Sequence, residues 1–241
     1  MSDDMTLVFI PGLLSDAVVW QHAADRLSRH LPVAIADVSA GDSITGMAET
    51  ILGEHAGPLL VAGHSMGARV ALEMYRLAPQ RVRALALADT GIHPRQEGEE
   101  AKRQKVLDLA RNEGMAALAA AWLPPMLDQT RLGDTELLET LTAMVLRADV
   151  AQHDRQIGAL LNRPDAEAAL SDVTCPVLLV VGRQDIWSPP AQHEDMLNRL
   201  ERARLEIIDD AGHFAPIERP EAVTAALESW VLDILAAKDT A

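Results

Sequence analysis

The stretch LLVAGHSMGARVALEMY, Leu59 to Tyr75, decides the fold. Leu59 to Ala62 form an apolar run suited to a strand buried on both faces, and Met66, Val70, Met74 and Leu77 then recur at helical spacing. The period changes within Gly63, His64, Ser65, Met66 and Gly67, where two glycines flank a serine. A strand that turns abruptly into a helix brings backbone close to backbone, which glycine permits and a Cβ obstructs. The turn lifts Ser65 above the sheet edge, where its hydroxyl is open to a base and to N–H groups able to hold a developing oxyanion. Pro79, just past the periodic run, stops the helix.

Working outward, further apolar runs predict strands at Thr6–Ile10, Val33–Asp37, Ala84–Asp89, Val177–Val181 and Arg204–Ile208. Helical patterns lie between them at Val18–His30, Ser43–His55, Ala191–Leu200 and Pro220–Ala237. Alternation of strand and helix predicts an α/β fold: a mostly parallel open sheet with helices on both faces. Residues 92–170 break the rhythm, with helical segments such as Glu99–Trp122 and Thr135–Arg147 around WLPPML and no strand. They are read as a helical cap inserted over the carboxyl edge of the sheet, where open α/β sheets bind ligands. Residues 1–91 and 171–241 then form the core, and the whole is one structural domain. The run RQEGEEAKRQK reads as a solvated helix start.

The chain has 241 residues, 49% of them hydrophobic, enough for one large core. Its formal net charge of −15 and the lack of a basic cluster weigh against nucleic acid. Cys175 is the single cysteine, which excludes an internal disulfide and a cysteine zinc site and fits a reducing compartment. The start, MSDDM, is acidic where a leader would be basic, and no apolar run is long enough to span a bilayer. The expectation is a cytoplasmic protein acting on a small molecule, with no membrane partner. Oligomeric state is not legible.

Three motifs together, GHSMG at 63–67, VVGRQDIWSPP at 180–190 and DDAGHFAPIERPEAV at 209–223, resemble the α/β-hydrolase superfamily along nearly the whole chain. Members carry Ser, then Asp or Glu, then His in that order. The resemblance therefore implies a triad of Ser65, Asp185 and His213. His213 stands in a loop after the strand RLEII, and His64 is too close in sequence to turn back on Ser65. Asp185 follows VLLVV at the same sheet edge; Asp89, at the end of the neighbouring strand, is its rival for the acid. The resemblance also implies an oxyanion hole of two backbone N–H groups, from Met66 and from Leu13 in the loop FIPGLLSDAVVW. In that loop Pro11 stands where relatives usually have histidine. Trp20 is read either as packing under the loop or as touching substrate.

The sequence has no metal-ligand cluster and no dinucleotide glycine fingerprint, so the chemistry is assigned to Ser65, with no metal and no cofactor. Hydrolysis of a carboxylic ester or lactone through an acyl-enzyme is the leading expectation. The alternatives are carbon–carbon bond hydrolysis or elimination by the same triad, and a non-catalytic ligand-binding protein on the same fold. Trp122, Met126, Met144, Trp187 and Phe214 are the candidate pocket residues, with His93 and His153 as further lining. Methionine-rich apolar walls suggest a small, largely apolar substrate. Arg69 on the elbow helix and Arg183 beside the acid loop are not read as a carboxylate clamp.

Overall fold

The computed structural model describes residues 5–238; Met1 to Asp4, which carry most of the acidic start weighed against a leader, lie outside them. In chain order the elements are β1 (Thr6–Ile10), α1 (Gln21–Leu27), β2 (Val33–Ile35), α2 (Ile44–Glu54), β3 (Leu59–His64), α3 (Met66–Leu77) and β4 (Val82–Ala88). Then come α4 (Glu99–Trp122), α5 (Thr135–Arg147), α6 (Val150–Leu161), α7 (Ala166–Ser171), β5 (Val177–Gly182), α8 (Pro190–Arg199), β6 (Ala203–Ile208), α9 (Ala215–Glu218) and α10 (Pro220–Lys238). The six strands pair in parallel in the order β2-β1-β3-β4-β5-β6. The expected α/β sheet is therefore present, with the strand bearing the elbow beside its centre.

Side chains alternate across the pleat, so each strand feeds two cores. Leu7, Phe9, Leu60 and Ala62 join one cluster with Trp20 of the first connection and Leu227 and Trp230 of α10. Val8, Ile10, Leu59 and Val61 join the other, with Ile44 and Met47 of α2, Val70 and Met74 of α3 and Met196 of α8. In β4 the alternation also sorts by size, with Ala84, Ala86 and Ala88 toward the first cluster and Leu85 and Leu87 toward the second. Small side chains against a core rich in aromatic rings follow the large-opposite-small rule of dense packing. The segment read as one helix from Val18 to His30 is a 3-10 turn at Ala17–Val19 followed by α1. Asp16 caps that turn by accepting from Val18 N.

Helices α4 to α7 occupy the connection from β4 to β5. Gly114, at φ 87°, breaks α4 into two helices. Helix α7 is only six residues long and α6 has His153 and Gln156 among its buried positions, whereas α4 and α5 are the two helices that the sequence specifies in this region. Aspartate caps start α5, α6 and α7, at Asp134, Asp149 and Asp165. Cys175 is half-buried and burial pushes its thiol up to about 12, far from the reactive thiolate form. Among the described residues no helix is long and apolar enough to cross a membrane.

Candidate active site

The elbow is built by two close approaches. A Cβ on Gly63 would meet the main-chain oxygen of Gly67 at 2.3 Å, and one on Gly67 would meet that of Ile10 at 2.2 Å. Both are impossible contacts, so β3 and α3 cross beside β1 only because these positions lack side chains. Ser65 pays the conformational cost between them, at φ 53° and ψ −113°. Its N–H donates to Ala88 O at 2.9 Å and its carbonyl accepts from Thr90 Oγ1 at 3.0 Å, which pins the strained residue from the neighbouring strand end.

Ser65, Asp185 and His213 follow β3, β5 and β6 respectively, at one edge of the sheet. There they form one hydrogen-bonded chain. His213 Nδ1 lies 2.8 Å from Asp185 Oδ2, and His213 Nε2 lies 2.9 Å from Ser65 Oγ. The carboxylate accepts from Nδ1–H, leaving Nε2 as the acceptor for the serine proton. Asp185 is buried; its other oxygen accepts from Trp187 N at 2.8 Å and Ser188 N at 3.0 Å. Burial alone raises its pKa, but the charge of His213 and the hydrogen bonds from His213, Ser188 and Trp187 outweigh it and hold the group below its usual range.

Asp89 is different. It is fully buried, its Oδ1 accepts from Gly182 N at 2.9 Å, and its Oδ2 lies 3.8 Å from His64 Nε2 rather than on His213. Burial first, then the nearby charge of Asp185, raises its pKa well above 3.8.

The loop of His213 is held by Glu218, which accepts from Gly212 N at 2.8 Å, Phe214 N at 3.3 Å and Asp128 N at 2.9 Å. His213 N itself donates to Met126 O at 2.6 Å. The segment after α4 is thus stitched directly to the histidine loop. On the other side, Leu14 sits at φ 53° and donates its N–H to Gln156 Oε1 of α6 at 2.9 Å. Trp20 is buried, stacks on Phe9 at 4.9 Å and donates to Ile10 O at 3.1 Å, so it packs under this loop and stays off the cavity.

A cavity of about 310 Å³ opens beside Ser65, at the small end of the range for ligand sites. Leu13 and Met66 line it next to Ser65 and His213, as do Trp122, Met126, Trp187 and Phe214. Met144 does not. It is buried within the core cluster that joins α4, α5 and α10, because its face of α5 packs inward against other helices. His93 and His153 do line the cavity; burial lowers His153 to about 4, and neither of its ring nitrogens has a partner.

The sequence missed a charged wall. Arg69, Glu99, Arg103 and Arg163 all line the cavity. Glu99, Arg103 and Val106 follow one another at helical spacing on α4, so one face of the run read as solvated looks inward. The paired Glu99 and Arg103 four residues apart were the available signal. Among the described residues no group of three or more His, Cys, Asp or Glu is arranged to hold a metal ion.

Residues 7–226 match the alpha/beta hydrolase family. The chain belongs to that family. It is a hydrolase. A pimeloyl-(acyl-carrier protein) methyl ester esterase of Nitrosomonas europaea is 28% identical over 92% of this chain and 94% of its own length. The enzyme of the same name from Aromatoleum aromaticum is 30% identical over 79% of this chain and 81% of its own. Among solved structures, a thermophilic esterase from Thermogutta terrifontis superimposes with a TM-score of 0.86 at 25% identity, covering 97% of this chain and 92% of that one.

Proposed function

We propose that this hydrolase cleaves a carboxylic ester or lactone of a small molecule through an acyl-enzyme on Ser65. The observation that carries the reading is the 2.9 Å approach of Ser65 Oγ to His213 Nε2, with Asp185 on the far side of the same ring. His213 takes the serine proton as Oγ bonds to the carbonyl carbon. The tetrahedral oxyanion is held by the N–H groups of Leu13 and Met66, the latter at the positive end of α3. The ester C–O bond then breaks and the leaving oxygen receives the proton from Nε2. Water, deprotonated by the same nitrogen, attacks the acyl carbon and frees the acid and Ser65. Asp185 orients the ring and stabilises its charged form without taking the proton.

Esterase relatives named above support ester cleavage over the carbon–carbon alternative. Helices α4 to α7 serve as the cap, and Trp122, Met126, Trp187 and Phe214 contact the substrate. The test is a panel of p-nitrophenyl esters, lactones and dienoic ketones given to wild type and Ser65→Ala, together with an active-site-directed phosphonate. Turnover of esters or lactones that disappears in the variant, with the phosphonate found on Ser65 by mass spectrometry, is the expected result. Turnover of the ketones alone, or labelling elsewhere, overturns it.

A further inference from the structure

The charged wall of the cavity is unbalanced. Glu99 is its one inward carboxylate, and both its oxygens are committed. Oε1 accepts from Arg103 Nε and Arg163 Nη1, each at 2.8 Å; Oε2 accepts from Arg163 Nη2 at 2.8 Å and from Gln96 N at 3.0 Å. Glu97 and Lys102 also line the cavity, but both are exposed. Three guanidinium groups therefore line the cavity with one half-buried carboxylate.

Arg69 is the residue left over. It is 8% exposed, and Nη2 donates to His93 O at 3.0 Å, while Nη1 is buried with no partner. Burial, then the charge of Arg163, lowers its pKa to about 9, a sign of how poorly its charge is compensated. An unpaired guanidinium edge away from water is costly, and such a cost is removed when a planar anion accepts from it. Ammonium would serve a point charge; the guanidinium fork matches a carboxylate. The remaining wall, including Val106, Trp122, Met126 and Phe214, is apolar.

We infer that Arg69 binds a carboxylate on the substrate, so that the molecule cleaved is an ester or lactone with an aliphatic body and a second, free carboxylate. The inference rests on Ser65 being the nucleophile for the word ester, but the anion subsite stands apart from turnover. Arg103 and Arg163, tied together through Glu99, supply positive potential around it and need not touch the ligand.

The experiment is calorimetric titration with hexanoate and with hexanamide, on wild type, Arg69→Gln and Arg69→Lys, alongside hydrolysis of monomethyl and dimethyl adipate. Wild type is expected to bind hexanoate at least about tenfold more tightly than hexanamide, the scale of a charged hydrogen bond. The preference should vanish in Arg69→Gln and fall several-fold in Arg69→Lys, which keeps the charge but loses the fork. Equal binding of acid and amide by wild type overturns the subsite, as does a preference that survives in folded Arg69→Gln. Should Arg69→Gln not fold, an unchanged preference in Arg69→Lys overturns the role of the fork. Hexanoate selectivity with no ester turnover would retain the subsite and sink the ester reading; turnover of both adipate esters without selectivity would do the reverse.

Discussion

His64 Nε2 donates to the main-chain carbonyl of His213 at 2.7 Å, so the residue just before Ser65 holds the backbone of the histidine that faces Ser65. The rings lie 5.4 Å apart. The carbonyl acceptor requires a proton on Nε2, and Nδ1 is buried with no partner. Burial first, then the charge of His213, lowers His64 to about 3. Elbow and histidine loop are thereby one unit, welded by a neutral imidazole.

That unit is acid-sensitive in a definite direction. His64, His153 and His193 are all buried and lowered, to about 3, about 4 and about 4. Below the ordinary value of 6.5 the unfolded chain takes protons that these rings refuse, so each contributes a loss of stability as pH falls from 6.5 toward its folded value. His64→Gln keeps an Nε2 donor for the carbonyl and removes one titration. Urea midpoints at about pH 7.5 and about pH 5 should drop less in the variant than in wild type; an equal drop would refute the assignment.

Asp89 acts in the opposite sense. Its folded pKa is raised above 3.8, so the unfolded chain sheds this proton first and stability is lost as pH rises from 3.8 toward the folded value. Asp89→Asn keeps an oxygen for Gly182 N, the 2.9 Å bond that the carboxyl now makes. Relative to wild type, the variant should gain stability as pH rises through that window. Hydrolysis should stay within about threefold, since the carboxyl does not touch His213. A collapse of turnover would mean that Asp89, not Asp185, serves the ring.

Turnover of a simple activated ester separates the members of the hydrogen-bonded chain. Ser65→Ala should lower kcat on the order of 10⁶-fold with the fold intact. Asp185→Asn should lower it by about 10⁴, because an amide facing Nδ1 favours the wrong tautomer. Circular dichroism and kcat measured on the same preparations check both.

Gln156 ties three segments together. Its Oε1 accepts from Leu14 N at 2.9 Å and its Nε2 donates to Val38 O at 3.2 Å, all of it buried. Gln156→Leu strips partners from two buried backbone groups, each worth about 1–3 kcal/mol when left unmade. The loop that carries Leu13 should shift, and kcat should fall by up to about a hundredfold, the lower edge of what losing one oxyanion donor costs. Urea unfolding and kcat of the folded variant measure the two effects separately. A destabilised variant with unchanged kcat would assign Gln156 to the scaffold alone.

Much of the architecture was legible because it is local. The strand at Thr6–Ile10 and the helices at Met66–Leu77 and Thr135–Arg147 have the bounds that periodicity and breakers predict, while the segment Glu99–Trp122, read as one helical run, is two helices broken at Gly114. Helix α6 was harder, because two of its buried positions are His153 and Gln156. Polar residues on an inward face look, along the chain, like those of a solvated one; here His153 lines the cavity and Gln156 holds the loop after β1. Met144 illustrates the converse. Its spacing marks an inward face, but inward toward core and inward toward a cavity look alike along the chain.

By itself the sequence determined the alternating α/β order, the elbow at Gly63 to Gly67, and the strand ends after which Ser65, Asp185 and His213 stand, because turn chemistry and side-chain period act over a few residues. Only the tertiary structure decided that Asp185 rather than Asp89 meets the ring, that Gln156 holds the loop after β1, and that one guanidinium nitrogen of Arg69, Nη1, is buried without a partner. These are contacts between residues far apart in the chain, and the orientation of a polar side chain is set by whichever neighbours folding happens to bury it among.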